Sequence, residues 1–195
     1  GDVYKRQLKI EEIEVRTEDD DDVKPYIFER RVEWIKVEMP EDLRKVKERL
    51  EKMLEIRLKK LERLGIDAKN LSKKEIIALQ DTLQIEASEI GSQETYEALS
   101  IIAEILKVLH GIELIETQGV SSLKEYLRRL LREAKAKGGS KAARSVVSDP
   151  LFRDAVLKLA ECKSEHPKLE KLKDILKEQF RIKPDSRVII FTNFR

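Results

Sequence analysis

From Pro40 onward the apolar residues recur at three- and four-residue intervals, the period of one face of an α-helix. Leu43, Val46, Leu50, Leu54, Leu58, Leu61 and Leu64 form the first such row, and Gly65 ends it. Pro40 followed by Glu41 and Asp42 suits its start, because proline fits an N-terminal position and acids complement the positive end of the macrodipole. At about 1.5 Å per residue this first helix is a rod of about 35 Å. Ser72 with Glu75 has capping-box spacing and opens a second helix that Gly91 stops. The third runs from Ser92 to about Thr117, and Leu99, Ile101, Ile102, Ile105, Leu106, Val108, Leu109, Ile112, Leu114 and Ile115 leave it almost no polar face, which predicts the central helix of the fold.

Ser122 and Glu125 repeat the capping-box spacing and predict the start of a fourth helix, with Leu123, Tyr126, Leu127, Leu130 and Leu131 inward as far as Gly138-Gly139. A short helix from Ser140 to Val147 follows. Asp149-Pro150 then caps a sixth, with Leu151, Phe152, Val156 and Leu159 inward. His166-Pro167 begins a seventh carrying Leu169, Leu172, Ile175, Leu176 and Phe180. No repeat of fixed period accompanies these elements, so a solenoid is not expected.

The ends of the chain follow a different pattern. Ile10 to Arg16 alternates as a half-exposed strand does, and Glu18 to Asp22 then repels itself into a loop. Arg31 to Met39 reads as a second strand, bulged or covered on both faces, with Trp34 expected in core packing. Val188 to Phe191, after the turn residues Pro184, Asp185 and Ser186, is an unalternated apolar run of the kind found in parallel strands buried on both faces. Parallel strands need crossover partners that the rest of the chain does not supply. The expectation is a mainly α fold, an elongated, thumb-like helical insert at residues 40–183, between sheet remnants at 1–39 and 184–195 that belong to flanking domains of a longer protein.

The chain has 195 residues, of which 41% are apolar and 40% charged, with 40 bases against 38 acids. The net charge says little, but its distribution says more. Eight acids and one base, Arg16, lie between Glu11 and Asp22. Between Gly119 and Val147 stand Lys124, Arg128, Arg129, Arg132, Lys135, Lys137, Lys141 and Arg144 against only Glu125 and Glu133. Lys124, Arg128, Arg132 and Lys135 recur at four, four and three residues and so share a helix face opposite the leucines. Such a face suits phosphates, whose neutralisation releases counterions, and the Gly-Gly break lets backbone approach closely. An ordinary solvated face gives the same pattern. The first helix is as rich in bases, but its interleaved acids favour ion pairs within the helix over a phosphate track.

Other chemistry is sparse. Cys162 is the one cysteine, which excludes an internal disulfide and fits a reducing compartment. Cys162 and His166 have the spacing of one ligand pair, short of the four that structural zinc takes. Glu29-Arg30-Arg31 lacks the further Lys or Asp of a nuclease site. Aromatics are 5% of the chain, so stacking platforms are few and base-specific reading is not expected. No apolar stretch reaches a membrane span, and no signal peptide is visible.

Glu14-Val15-Arg16-Thr17-Glu18 with Lys24-Pro25-Tyr26, Val32-Glu33-Trp34, Ile112 to Gly119, His166-Pro167-Lys168-Leu169 and Ile189 to Arg195 occur in an order that resembles the archaeal-type Hef helicase. That family comprises helicase-associated endonucleases for fork-structured DNA, related to the Fanconi anaemia M helicase and, more distantly, to RIG-I-like receptors and Dicer. The resemblance covers residues 10 to 195. It implies an ATP-driven helicase or translocase acting on forked or branched DNA in repair or replication restart, in the cytoplasm with the nucleoid. The helical insert would grip duplex near the junction, between two RecA-like domains in cis that use ATP and magnesium. Thr192, Asn193 and Arg195 match motif IV, which in related helicases lies against the nucleic-acid backbone. The departures are equally plain: there is no Gly-x-x-x-x-Gly-Lys-Ser/Thr loop, Asp-Glu-x-His box or arginine-finger motif, so this chain alone is not expected to hydrolyse ATP. A helical scaffold for protein partners and a double-stranded RNA-binding insert of a RIG-I-like helicase are the alternatives.

Overall fold

The computed structural model describes residues 20–21, 32–163 and 167–191. Two compact units divide the chain, Gly1–Lys36 and Val37–Arg195, and the described helices lie in the second. They are α1 (Glu41–Arg63), α2 (Lys73–Glu89), α3 (Gln93–Thr117), α4 (Val120–Lys135), α5 (Lys141–Ser148), α6 (Pro150–Glu161) and α7 (Pro167–Ile182).

Local chemistry sets most of these boundaries. α1 ends in a Schellman motif: Gly65, at φ 81°, donates its N–H to the Glu62 carbonyl, and Ile66 donates to that of Leu61 at 3.1 Å. Ser72 and Glu75 form the reciprocal capping box at the start of α2, and the hydrogen bonds from Ser72 hold the Glu75 carboxyl below its ordinary range. Ser92 caps α3, Ser140 caps α5, and Asp149 both closes α5 and caps α6 ahead of Pro150. The start of α4 differs from expectation. Gly119, at φ 86°, ends α3 and itself opens α4, so the helix begins at Val120 and Ser122 is already helical. No Ser122–Glu125 box forms, and Glu125 pairs instead with Arg128 and Arg132.

α3 is central, packing against α1, α2, α4 and α5, while α6 closes over α1. The core falls into two clusters. Leu43, Val46, Leu50 and Met53 of α1 meet Val108, Ile112 and Ile115 of α3 in one, together with Leu123, Leu127, Phe152 and Leu159. Leu61 of α1 meets Ile101, Ile102 and Ile105 of α3 in the other, together with Ile76 and Leu83 of α2. Each such fully buried aliphatic contributes about 1.5–3 kcal/mol.

Between the clusters sits Arg57, 3% exposed, donating to Glu104 and to Asp149, each at 2.9 Å, and to the Met53 carbonyl at 3.0 Å. One guanidinium thus joins α1, α3 and the α5–α6 corner. The two carboxylates and the carbonyl satisfy donors that would be costly to bury unpaired.

The ends differ from the sequence reading. Residues 32–39 and 186–191 form no ladder, because no described segment offers them an edge with which to exchange backbone hydrogen bonds. Trp34 is 88% exposed rather than packed in a core, and Val188, Ile189, Ile190 and Phe191 are all exposed. α7 forms where the sequence predicts a helix, but none of its residues is buried, and Leu169, Ile175 and Phe180 are exposed. The expected strand at Ile10 to Arg16 lies outside the described residues.

Candidate nucleic-acid interface

α4 presents the basic face because its inner side is fixed. Leu123, Tyr126, Leu127 and Leu130 are buried, and the Tyr126 hydroxyl donates to the Lys107 carbonyl at 2.8 Å. Burial pushes the Tyr126 hydroxyl pKa well above its usual range, so it stays a neutral donor. Arg129 lies over its ring at 5.3 Å, and His110 meets the ring edge-on at 4.7 Å. Glu133 is drawn off the face by Lys107 of α3, at 2.9 Å.

The remaining residues divide in a way the spacing did not show. Arg128 and Arg132 are exposed but share one carboxylate, Glu125, at 4.0 and 3.0 Å. Lys124 is half-buried near Cys162, whose thiol burial pushes upward with Lys124 opposing the shift. Lys135, Lys137 and Arg144 are exposed, with no carboxylate partner among the described residues. The turn that carries them is sterically fixed: Gly138 is at φ 80°, and a Cβ on Gly139 would run into the Glu133 carbonyl oxygen. Lys141, which opens α5, lines a groove formed with the C-terminal end of α1 and the first half of α3. Thr192, Asn193 and Arg195 lie outside the described residues.

α1 uses several of its bases as its composition suggested, with two additions, while Lys60 and Arg63 have no carboxylate partner among the described residues. Glu41 pairs with Arg44 and Lys45, Lys47 with Glu51, and Lys59 with Glu55. Lys47 also reaches Glu116 of α3 at 2.7 Å, and Arg49 reaches Asp154 of α6 at 2.7 Å. Sequence reasoning missed Arg57, Glu104 and Asp149, since their partners are 47 and 92 residues apart. It assigned Lys60 and Arg63, with the other bases of α1, to ion pairs within the helix, whereas they line the groove, and it passed over Tyr96 there. Helical periodicity places Arg57 four residues after Met53 and four before Leu61, on the buried face. A base at a core position was the available signal.

Among the described residues no three His, Cys, Asp or Glu side chains are gathered as a metal site, and no helix is long and apolar enough to cross a membrane.

Comparison with known proteins places this bundle. The family described as "Putative ATP-dependent RNA helicase, helical bundle" matches residues 42–166. The protein named "Putative ATP-dependent RNA helicase" of Methanocaldococcus jannaschii is 35% identical over 96% of this chain, and the chain spans 23% of its length. The DEAD-box ATP-dependent RNA helicase FANCM of Arabidopsis thaliana is 29% identical over 96% of this chain, which spans 14% of it. The crystal structure of the Pyrococcus furiosus Hef helicase domain superposes with a TM-score of 0.77 at 38% identity, over 98% of this chain and 41% of that one. Fold, identity and the span of the family match agree, and the chain belongs to the helical-bundle family of Hef- and FANCM-type ATP-dependent helicases.

Proposed function

We propose that this bundle is the nucleic-acid-gripping insert of a helicase or translocase that works on forked or branched DNA in repair or replication restart, in the cytoplasm with the nucleoid. The observation that carries the reading is the row of exposed bases from Arg128 to Arg144, held on a well-packed helix pair and opposed on α4 by one exposed acid, Glu125, which Arg128 and Arg132 share. Phosphate contacts of this kind give affinity and register without reading bases, which suits an insert that must slide. Thr192, Asn193 and Arg195 would extend the contact as motif IV.

ATP and magnesium belong elsewhere in the protein. The sequence has no glycine-lysine phosphate loop to cradle the nucleotide. RecA-like lobes in cis would supply that chemistry. The open side of α7 supports the same arrangement. Leu169, Ile175 and Phe180, with Val188 to Phe191 beyond them, are the exposed apolar residues expected of a segment that docks on such a lobe.

Charge reversal tests the reading. Arg128→Glu, Arg132→Glu and Lys135→Glu together should abolish binding of a forked DNA duplex, followed by fluorescence anisotropy across a salt series. The wild type should show a steep negative salt slope, and each lost phosphate contact should remove about 0.9 from it. Forked DNA binding that survives the triple change, or shows no salt dependence, would sink the proposal and favour a protein scaffold. Stronger binding to an A-form RNA duplex than to DNA would favour the RNA alternative.

A further inference from the structure

The groove at the far end of α1 has a different character from the α4 face. It has a volume of about 590 Å³ and is lined by Lys60, Arg63, Tyr96, Glu97, Glu104 and Lys141, among others. Lys60, Arg63 and Lys141 are exposed, with no carboxylate partner among the described residues. Glu104 is turned inward and held by Arg57 at 2.9 Å, which leaves Glu97 as the one uncommitted acid. Two helices also begin there, α3 at Gln93 and α5 at Lys141, so their positive ends add to the three cations.

Tyr96 makes the groove more than a basic patch. It is 57% exposed, and its hydroxyl donates to the Ala87 carbonyl at 3.3 Å, which tethers the ring from one end while leaving it open to the groove. An aromatic ring among unpaired cations is the combination that holds unpaired nucleotides: the cations follow the backbone and the ring stacks a base, whatever its identity. A base inside a duplex is already stacked and cannot use such a ring.

We infer that the groove between α1, α3 and α5 is a binding site for a single-stranded segment of nucleic acid, with Tyr96 stacking a base and Lys60, Arg63 and Lys141 neutralising its phosphates. This rests on the proposed function and deepens it: the α4 face takes duplex, and the groove takes the strand splayed from it. Lys141 lies at the corner where the two surfaces meet.

The test compares three ligands on the full chain by fluorescence anisotropy: a fork with two unpaired arms, a blunt duplex of the same paired sequence, and one arm alone. Tyr96→Ala should weaken the fork and the free arm about tenfold and leave the blunt duplex unchanged, while Tyr96→Trp should retain binding. Lys60→Ala with Arg63→Ala should lower the single-strand salt slope by about 1.4, two contacts at about 0.7 each. Glu97→Gln should tighten the fork, an effect that no loss of structure produces. If these variants bind fork and arm like the wild type while the α4 charge reversal still abolishes duplex binding, the groove is a solvated surface and the proposed function stands. If neither set changes binding, both readings fall. Equal weakening of fork and blunt duplex by Tyr96→Ala overturns the single-strand assignment.

Discussion

α1 and α4 are both long, basic and amphipathic, yet they hold their charges in opposite ways. Along most of α1 the bases answer acids on the same helix, on α3 or on α6, and Arg57 is buried between two carboxylates, whereas Lys60 and Arg63 at its C-terminal end line the groove with no carboxylate partner among the described residues. Along α4 one acid is drawn away by Lys107, and the other is shared between two arginines. Composition alone makes these helices look alike. What separates them is whether each base has a carboxylate within reach, and that depends on the neighbouring helix as much as on the helix itself. As far as Lys59, α1 is therefore a structural beam, and α4 is the better candidate for an external anion along its length.

The largest effect should come from breaking the internal use of charge on α1. Arg57→Ala leaves the Glu104 and Asp149 carboxylates, 10% and 15% exposed, without their shared cation. Removing one partner of a buried ionic cluster costs about 3–5 kcal/mol, which should appear as a large drop in the urea midpoint. Arg57→Met combined with Glu104→Leu and Asp149→Asn should lose markedly less, because no uncompensated charge remains and Asn still caps α6. A single variant as stable as the wild type would show that the triad is not what joins the two core clusters.

Much of this fold was legible in the sequence, and the misreadings have a common cause. The caps at Ser72 and Asp149, the helix starts at Ser92 and Ser140 and the stop at Gly65 are local chemistry, and the structure places them where the sequence reading does. Ser122–Glu125 has equally good local spacing but lost to Gly119, whose positive φ starts the helix early. Leu169, Ile175 and Phe180 have a correct helical period, yet periodicity identifies an apolar face and not the surface that covers it. The same holds for Trp34 and for Val188 to Phe191. Arg57 was illegible because intrahelical pairing is a local rule, whereas its partners stand on other helices. On α4 the basic face was legible as a row of residues, but its partial neutralisation by Glu125 and the diversion of Lys141 into the groove were not.

A middle-sized effect should mark the seam where α3 meets α4. Tyr126→Phe keeps the packing against His110 and under Arg129 but removes the hydroxyl that donates to the Lys107 carbonyl. The loss should be about 1 kcal/mol of stability by denaturant titration, with the helical circular dichroism of the folded state unchanged. A neutral outcome would mean that water replaces the hydroxyl at that carbonyl.

Glu125→Gln sharpens the contrast from the other side. It frees Arg128 and Arg132 of their shared acid, and since exposed ion pairs contribute little, stability should move by under about 0.5 kcal/mol. Forked DNA should bind more tightly, with a salt slope steeper by up to about 1. The equivalent change on α1, Glu55→Gln opposite Lys59, should leave binding unaltered. Equal gains from both would erase the distinction between the helices.

The smallest effect is a matter of pH and tests whether the cross-helix pairs of α1 hold in solution. Arg49 donates to Asp154 of α6 at 2.7 Å, and this hydrogen bond keeps the carboxyl below its ordinary value of 3.8. A carboxyl depressed in the folded state takes up its proton less readily there than in the unfolded chain. Its contribution is therefore complete above the ordinary value and is lost as pH falls through the folded one, a window that begins near about pH 4 and runs downward. Asp154 is about half exposed, so the contribution is small and screened by salt. Arg49→Gln should lie slightly below the wild type in stability at neutral pH, and the two curves should converge on acidification. Adding salt at neutral pH should bring them together as well, because both treatments remove the same attraction. Curves that stay parallel down to about pH 2 would mean that Arg49 steadies α6 through the packing of its stem and not through its charge.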